Sequence, residues 1–297
     1  MLAAWHVQRT LSEVDLMALS RSDERGRIER RERVLRRHAV QRSGRPDGRT
    51  VVLVHGFGCD SAVWRFLLPQ LEEHYDVITL DLVGAGRSDT SAYDPARYDS
   101  LGGYADDLVE LCEVLDLSDA ALVGHSVSAM TVVLAAPRLR DRVTALALLA
   151  PSPRYLDDEE TGYRGGFTRA DVDQLLDALE ANWLGWSEAM APTIMGAQHP
   201  ELGQELTSSF CRVDPGVAAQ FAEVTFLSDN RADLGRVDVP TLVLQCSQDA
   251  LAAVPVGEYV AEQLPHGSLQ VLRATGHCPH MSAPDETAAA LRDFLGG

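Results

Sequence analysis

Three residues in this 297-residue chain, Ser126, Asp249 and His277, have the types and the order that nucleophilic catalysis by a serine needs. Ser126 sits in Leu122-Val123-Gly124-His125-Ser126-Val127-Ser128, where an apolar strand gives way to an apolar helix. A serine in so tight a turn projects its hydroxyl above a sheet and leaves backbone N–H groups free beside it. The usual pattern is G-x-S-x-G, and Ser128 stands where the second glycine belongs. A small residue is required there because helix and strand pass closely, so the hydroxymethyl group is expected to crowd and narrow the adjacent region.

A serine hydroxyl is a weak nucleophile until a base accepts its proton, and that base needs an acid to fix its tautomer. Asp249 follows the apolar run Thr241–Gln245, and His277 follows Leu269–Leu272 within Ala-Thr-Gly-His-Cys-Pro-His. Both therefore fall beyond the C-terminal ends of strands, on the rim that carries Ser126. His280 and His266 are alternative bases, but the first lies three residues further on and the second precedes the strand. A base of this kind must be neutral, so activity is expected to fall as pH drops through roughly 6 to 7.

His55-Gly56-Phe57-Gly58 follows the first strong strand, and its turn places the Phe57 N–H, with that of Val127, as a donor pair for an oxyanion. Each such donor can stabilise a transition state by roughly 3–4 kcal/mol. Asp81–Asp89 resembles a phosphate loop in its glycines but has neither G-x-G-x-x-G spacing nor a Walker lysine, and reads as a structural turn.

The elements that must position these groups alternate from Thr50 onward: Val51–Val54, Val77–Leu80, Ala121–Val123, Ala145–Leu149, Thr241–Gln245 and Leu269–Leu272 read as strands. Gly103–Leu115, Val127–Ala136 and Glu286–Phe294 read as helices between them. This is the rhythm of a doubly wound, mostly parallel sheet covered on both faces. From 151 to 236 it breaks, with helical stretches at Asp171–Ala181, Trp186–Met195, Glu201–Cys211 and Pro215–Leu227 and no convincing strand. That segment reads as a helical cap inserted into a core of 38–150 and 237–297. Its aromatics imply an apolar pocket above Ser126, with Tyr155, Phe167, Trp183, Trp186 and Phe210 joining Phe57 as substrate-binding candidates.

Composition narrows the function further. The net charge of −18 opposes a nucleic-acid or anionic-membrane partner. Five scattered cysteines without C-x-x-C spacing suggest neither a disulfide framework nor a zinc site, so no metal or cofactor is expected. Reduced cysteines, with no apolar run of signal-peptide or membrane-spanning length, point to the cytoplasm. The charge is segregated. Residues 1–49 hold 12 Arg and 7 acids, whereas 50–297 hold 14 Arg and 37 acids. Residues 1–37 read as a helical or disordered Arg-rich arm that salt-screened attraction holds to an acidic face. Leu11, Val14 and Leu16 are the apolar groups with which it could instead pack into the domain. Its removal is expected to spare the triad and cost little stability.

From about His38 onward the chain resembles the RsbQ and strigolactone/karrikin-receptor branch of the α/β hydrolases. The matching runs include His-Gly-Phe-Gly-Cys-Asp at 55–60, Gly-His-Ser-Val at 124–127, Pro-Ser-Pro-Arg-Tyr-Leu at 151–156, Leu-Gln-Cys-Ser-Gln-Asp at 244–249 and Gly-His-Cys-Pro-His-Met-Ser at 276–282. The bacterial RsbQ form is the nearer likeness. The resemblance implies an α/β-hydrolase fold with a four-helix, V-shaped cap and a Ser126–Asp249–His277 triad. It also implies a small apolar ester or lactone as ligand and a PAS-domain serine/threonine phosphatase as partner in stress signalling. The arm 1–37 has no counterpart there. A metabolic carboxylesterase, a cofactor-free haloperoxidase or a carbon–carbon hydrolase of the same fold are the competing readings. Haloalkane dehalogenases and epoxide hydrolases are disfavoured because their nucleophile is a carboxylate.

Overall fold

The computed structural model describes residues 13–196 and 198–296. Its elements run α1 (Glu13–Arg37), β1 (Gln41–Gly44), β2 (Thr50–Val54), α2 (Leu68–Glu72), β3 (Asp76–Leu80), α3 (Leu101–Val114), β4 (Ala120–His125), α4 (Val127–Ala135) and β5 (Val143–Leu149). Four helices follow, α5 (Arg169–Ala181), α6 (Trp183–Met195), α7 (Pro200–Phe210) and α8 (Pro215–Leu227), then a short α9 (Arg231–Leu234). The chain closes with β6 (Thr241–Gln248), α10 (Val254–Gln263), β7 (Gly267–Thr275), α11 (Pro279–Ser282) and α12 (Pro284–Leu295).

The seven strands order as β1-β3-β2-β4-β5-β6-β7, with every pairing parallel except β1 against β3. This is the α/β-hydrolase fold with the mostly parallel sheet that the strand–helix alternation predicts. Strand side chains alternate between two cores. Val51 and Leu53 enter one, and Val52 and Val54 enter the other. Helices cover both faces, so β2, β3 and β4 are buried almost throughout and show as continuous apolar runs. β1 lies on an edge, reads Gln-Arg-Ser-Gly and is mostly exposed, which is why no apolar signal marks it. β7, the other edge, runs from Gly267 to Thr275, well beyond its apolar centre.

The Arg-rich segment departs from the expected loosely held arm. Leu11 and the side chains of Val14 and Leu16 lie outside what is described. Further along α1, Val34 is fully buried in the core beneath α3 and β3. Arg30 bonds Glu110 and Glu113, and Arg37 bonds Asp107 and Glu110, so the attraction to an acidic surface is realised on α3. Apolar burial and charge therefore act together, and loss of residues 1–37 would open the core. Val34→Ala should lower the unfolding free energy by about 1–3 kcal/mol. Arg30→Ala, which removes half-exposed pairs, should cost only about 0–1 kcal/mol. Urea denaturation of the full chain reads both, and equal costs would show that charge alone holds the helix.

Candidate active site

The site begins at the turn between β4 and α4. Ser126 adopts φ 55° and ψ −124°, a conformation that costs a non-glycine residue energy and must be held by its surroundings. Its N–H donates to Leu149 O at 2.8 Å, and its carbonyl accepts from Ala129 N at 2.9 Å. Gly124 allows the helix to pass, since a Cβ there would lie 2.3 Å from Ser128 O. Ser128 does more than crowd this crossing. Its hydroxyl donates to His55 O at 2.5 Å and ties α4 to the loop after β2.

Ser126 Oγ lies 2.7 Å from His277 Nε2, and His277 Nδ1 lies 2.7 Å from Asp249 Oδ2. The carboxylate can only accept, so Nδ1 carries the proton and Nε2 is free to accept from the serine hydroxyl. Asp249 Oδ1 also accepts from the N–H groups of Leu251 at 2.8 Å and Ala252 at 3.1 Å. Burial pushes the Asp249 carboxyl up, but the His277 imidazole and these two N–H groups outweigh it and hold it below the usual carboxylate range. A hydroxyl joined to imidazole and carboxylate in this way can pass its proton to the base as it attacks an acyl carbon.

The alternative bases stand elsewhere. His280 is buried beside Trp64 and His125, and His266 lies before β7, 3.6 Å from Asp238. The helical segment between β5 and β6 fixes the loop that carries His277. His277 N donates to Ile194 O at 2.7 Å, and a Cβ at Gly276 (φ +82°) would come 2.3 Å from Met195 O. Only glycine fits a left-handed turn that close to another backbone.

Phe57, Tyr155, Trp186 and Phe210 line an apolar cavity over Ser126 and His277. Phe167 and Trp183 do not. Phe167 packs against the Tyr155 ring at 6.2 Å, and Trp183 stacks on Trp186 at 5.4 Å and 13°. They support lining residues instead of presenting a face to the cavity, because each aromatic pair offers only one ring to it. Met190, Ile194 and Leu206, with Thr225, Phe226, Leu251, His125, Cys59 and Cys278, complete the wall. Apolar spacing on α6 and α7 carried the first three, but the sequence does not say which buried positions meet a void. Phe57 lines the cavity and Val127 opens α4 directly after Ser126, the two residues whose N–H groups are the expected oxyanion donors. The turn 81–89 is structural: Asp81 accepts from Ser61 N and Arg87 N, both at 2.7 Å.

A parallel sheet with a strained serine turn at its centre and a histidine and a carboxylate on the same rim defines an α/β-fold hydrolase. Residues 51–290 match the model of the alpha/beta hydrolase family, and the chain belongs to that family. It is 38% identical to a karrikin insensitive 2 receptor of Petunia hybrida, over 82% of this chain and 90% of that protein. It is 36% identical to a strigolactone esterase of Arabidopsis thaliana, over 83% and 92% respectively. Among solved structures, a hydrolase from Oleispira antarctica superposes with a TM-score of 0.87 at 40% identity, covering 90% of this chain and 97% of the other. Among the described residues no helix is long and apolar enough to cross a membrane.

Because the Asp249 carboxyl is held below its ordinary value, its ionised form stabilises the fold above about pH 4, the unfolded value. That stabilisation is lost as pH falls through the depressed folded value. Urea unfolding at a series of pH values should therefore show wild type more stable than Asp249→Asn near neutrality, with the gap closing below about pH 4. A gap that is constant with pH would mean that the carboxylate charge is not what the site holds.

Proposed function

We propose that this hydrolase cleaves a small apolar ester or lactone by acyl transfer through Ser126. His277 acts as the general base and Asp249 orients it, while the Phe57 and Val127 N–H groups receive the oxyanion. The observation that carries this reading is the unbroken Ser126–His277–Asp249 hydrogen-bond chain at the floor of an apolar, aromatic-walled cavity. Residues 151–236 serve as the cap. They supply Tyr155, Trp186 and Phe210 to the wall and exclude water from the reacting carbonyl.

As biological role we propose an RsbQ-like small-molecule sensor, acting in the cytoplasm with a PAS-domain serine/threonine phosphatase in stress signalling. The support is the run Gly-His-Cys-Pro-His-Met-Ser at 276–282 and the character of two relatives, one a karrikin receptor and one a strigolactone esterase. Sensing requires that the ligand stay bound long enough to be read. Slow turnover with a lasting acyl-enzyme is therefore expected, whereas rapid turnover of many esters would identify a metabolic carboxylesterase.

Ser126→Ala should reduce hydrolysis of a short p-nitrophenyl ester by about 10³-fold or more while circular dichroism stays unchanged. Intact-protein mass spectrometry after exposure to a lactone and ester panel should show an adduct on wild type and none on the variant. Retention of more than about a tenth of the activity would remove Ser126 from the chemistry, since that loss is only some 1.4 kcal/mol.

A further inference from the structure

Behind the catalytic residues lies a second cluster that the hydrolytic mechanism does not use. One ring nitrogen of His125, one of His280 and the sulfur of Cys278 all lie within 4.8 Å of one another. All three residues are buried: His125 is 2% exposed, Cys278 1% and His280 0%. Their polar atoms are largely unspent. Among the described residues, both ring nitrogens of His280 and Nδ1 of His125 have no hydrogen-bond partner, and neither does the neighbouring Trp64 Nε1. Unpaired buried imidazole nitrogens cost free energy unless something occupies them.

The tautomer of His125 follows from its one bond. Nε2 faces the His277 carbonyl at 2.9 Å, so it must carry the proton and donate, which leaves Nδ1 as a bare lone pair. Burial lowers both imidazoles and raises the Cys278 thiol, so the rings are offered neutral and the thiol gives up its proton only to an ion that replaces it.

We propose that His125, Cys278 and His280 form a binding site for a soft monovalent metal ion, Cu(I), beneath the floor of the pocket. Two imidazoles and one thiolate are a donor set for a soft or borderline ion. Charge selects among such ions. Cu(I) with one thiolate is neutral and adds no net charge to a dry interior that already holds the ionised Asp249, and the cluster supplies three donors where Zn²⁺ takes four. Binding forms the copper–sulfur bond as the Cys278 S–H proton leaves to solvent, with no change of oxidation state. A three-coordinate ion needs donor atoms about 3.5–3.8 Å apart, given metal–nitrogen and metal–sulfur lengths near 2.0 and 2.3 Å. The cluster must therefore close by at most about 1.3 Å across its widest pair, and among the described residues His280 has no hydrogen bond to break in doing so. An entry path exists because His125 and Cys278 both line the pocket. His125 immediately precedes Ser126 and Cys278 immediately follows His277, so closing the cluster moves both ends of the Ser126–His277 bond. Occupancy thus suppresses hydrolysis.

The experiment uses full-length Cys211→Ser protein, which lacks the exposed thiol, under anaerobic conditions with Cu(I) supplied from a bicinchoninate complex. Elemental analysis after desalting should give one ion per chain, and X-ray absorption should show both nitrogen and sulfur neighbours. Cys278→Ser and His280→Gln, each added to that background, should weaken binding by at least about tenfold, as loss of even an outer-shell partner does. Undiminished binding in both would place the copper on Cys59 or Cys246 and overturn the site. So would wild-type loading below about a tenth of an ion per chain, which would leave water as the occupant. If His280→Gln does not fold, the nearly isosteric Cys278→Ser decides alone. Ester hydrolysis should fall on loading and return on chelation. This last readout rests on the hydrolytic reading: a metal-free protein without esterase activity defeats that reading while the stoichiometry still tests the site.

Discussion

The turn at Ser126 is the constraint on which the rest of the structure depends. A non-glycine residue at φ 55° and ψ −124° is held only if its surroundings over-determine it. Here the Leu149 carbonyl takes its N–H, the Ala129 N–H takes its carbonyl, and Gly124 lets α4 pass close enough for both. β4 occupies the centre of the sheet because neighbours are needed on both sides to supply these contacts. The Ser128 hydroxyl adds a third fixation by bonding the His55 carbonyl. A glycine there would leave that buried carbonyl to find another donor, so the departure from G-x-S-x-G is compensated locally and is not merely tolerated.

The helices between β5 and β6 hold His277 as well as covering it. His277 reaches Ser126 from a loop whose backbone is bonded to Ile194 at the end of α6, and Gly276 admits Met195 O within what would be a clash for any side chain. α7 is tied to the core in turn by Ser209 Oγ on Gly58 O at 3.0 Å and by Arg212 on Asp60 at 2.8 Å. Movement of α6 would therefore be felt at the Ser126–His277 hydrogen bond. Under the proposed sensing role, that coupling would give a ligand in the cavity a route to the outer surface of the molecule.

The parts legible in the sequence were those set by local pattern. Buried parallel strands appear as apolar runs, and a serine, an acid and a histidine after successive strands converge because all parallel strands end on one rim. β1 escaped because an exposed edge strand needs no apolar residue, and Val254–Gln263 escaped because its short helix buries few positions. The lining of the cavity was only partly legible. Trp183 and Trp186 are three residues apart on one helix face, and which of the stacked pair meets the void is decided by Phe57 and Phe210 arriving from other elements. Likewise His125 at the end of β4 and Cys278 and His280 at the start of α11 come together from distant parts of the chain, so no spacing rule for metal ligands registers them.

The Arg-rich segment shows how charge and burial divide the work of docking. Net attraction between a positive helix and a negative core is long-ranged and unspecific, and salt screens it within about 8 Å at physiological ionic strength. What fixes the register is the buried end. Val34 enters the core, Arg37 and Arg97 both reach the buried carboxylate of Asp107, and Tyr98 donates its hydroxyl to the same group at 2.6 Å. His38 is buried 3.8 Å from that carboxylate, and desolvation holds its imidazole low despite the nearby charge. Two arginines and a phenol thus satisfy Asp107 without requiring a protonated histidine. A carboxylate this deeply buried would be costly if one arginine were withdrawn, so Arg37 holds the last turn of α1 against α3 more firmly than the exposed pairs of Arg30 do. Along α1 the charges face water at Arg30 and become part of the domain at Arg37, where the guanidinium is partly buried against Asp107.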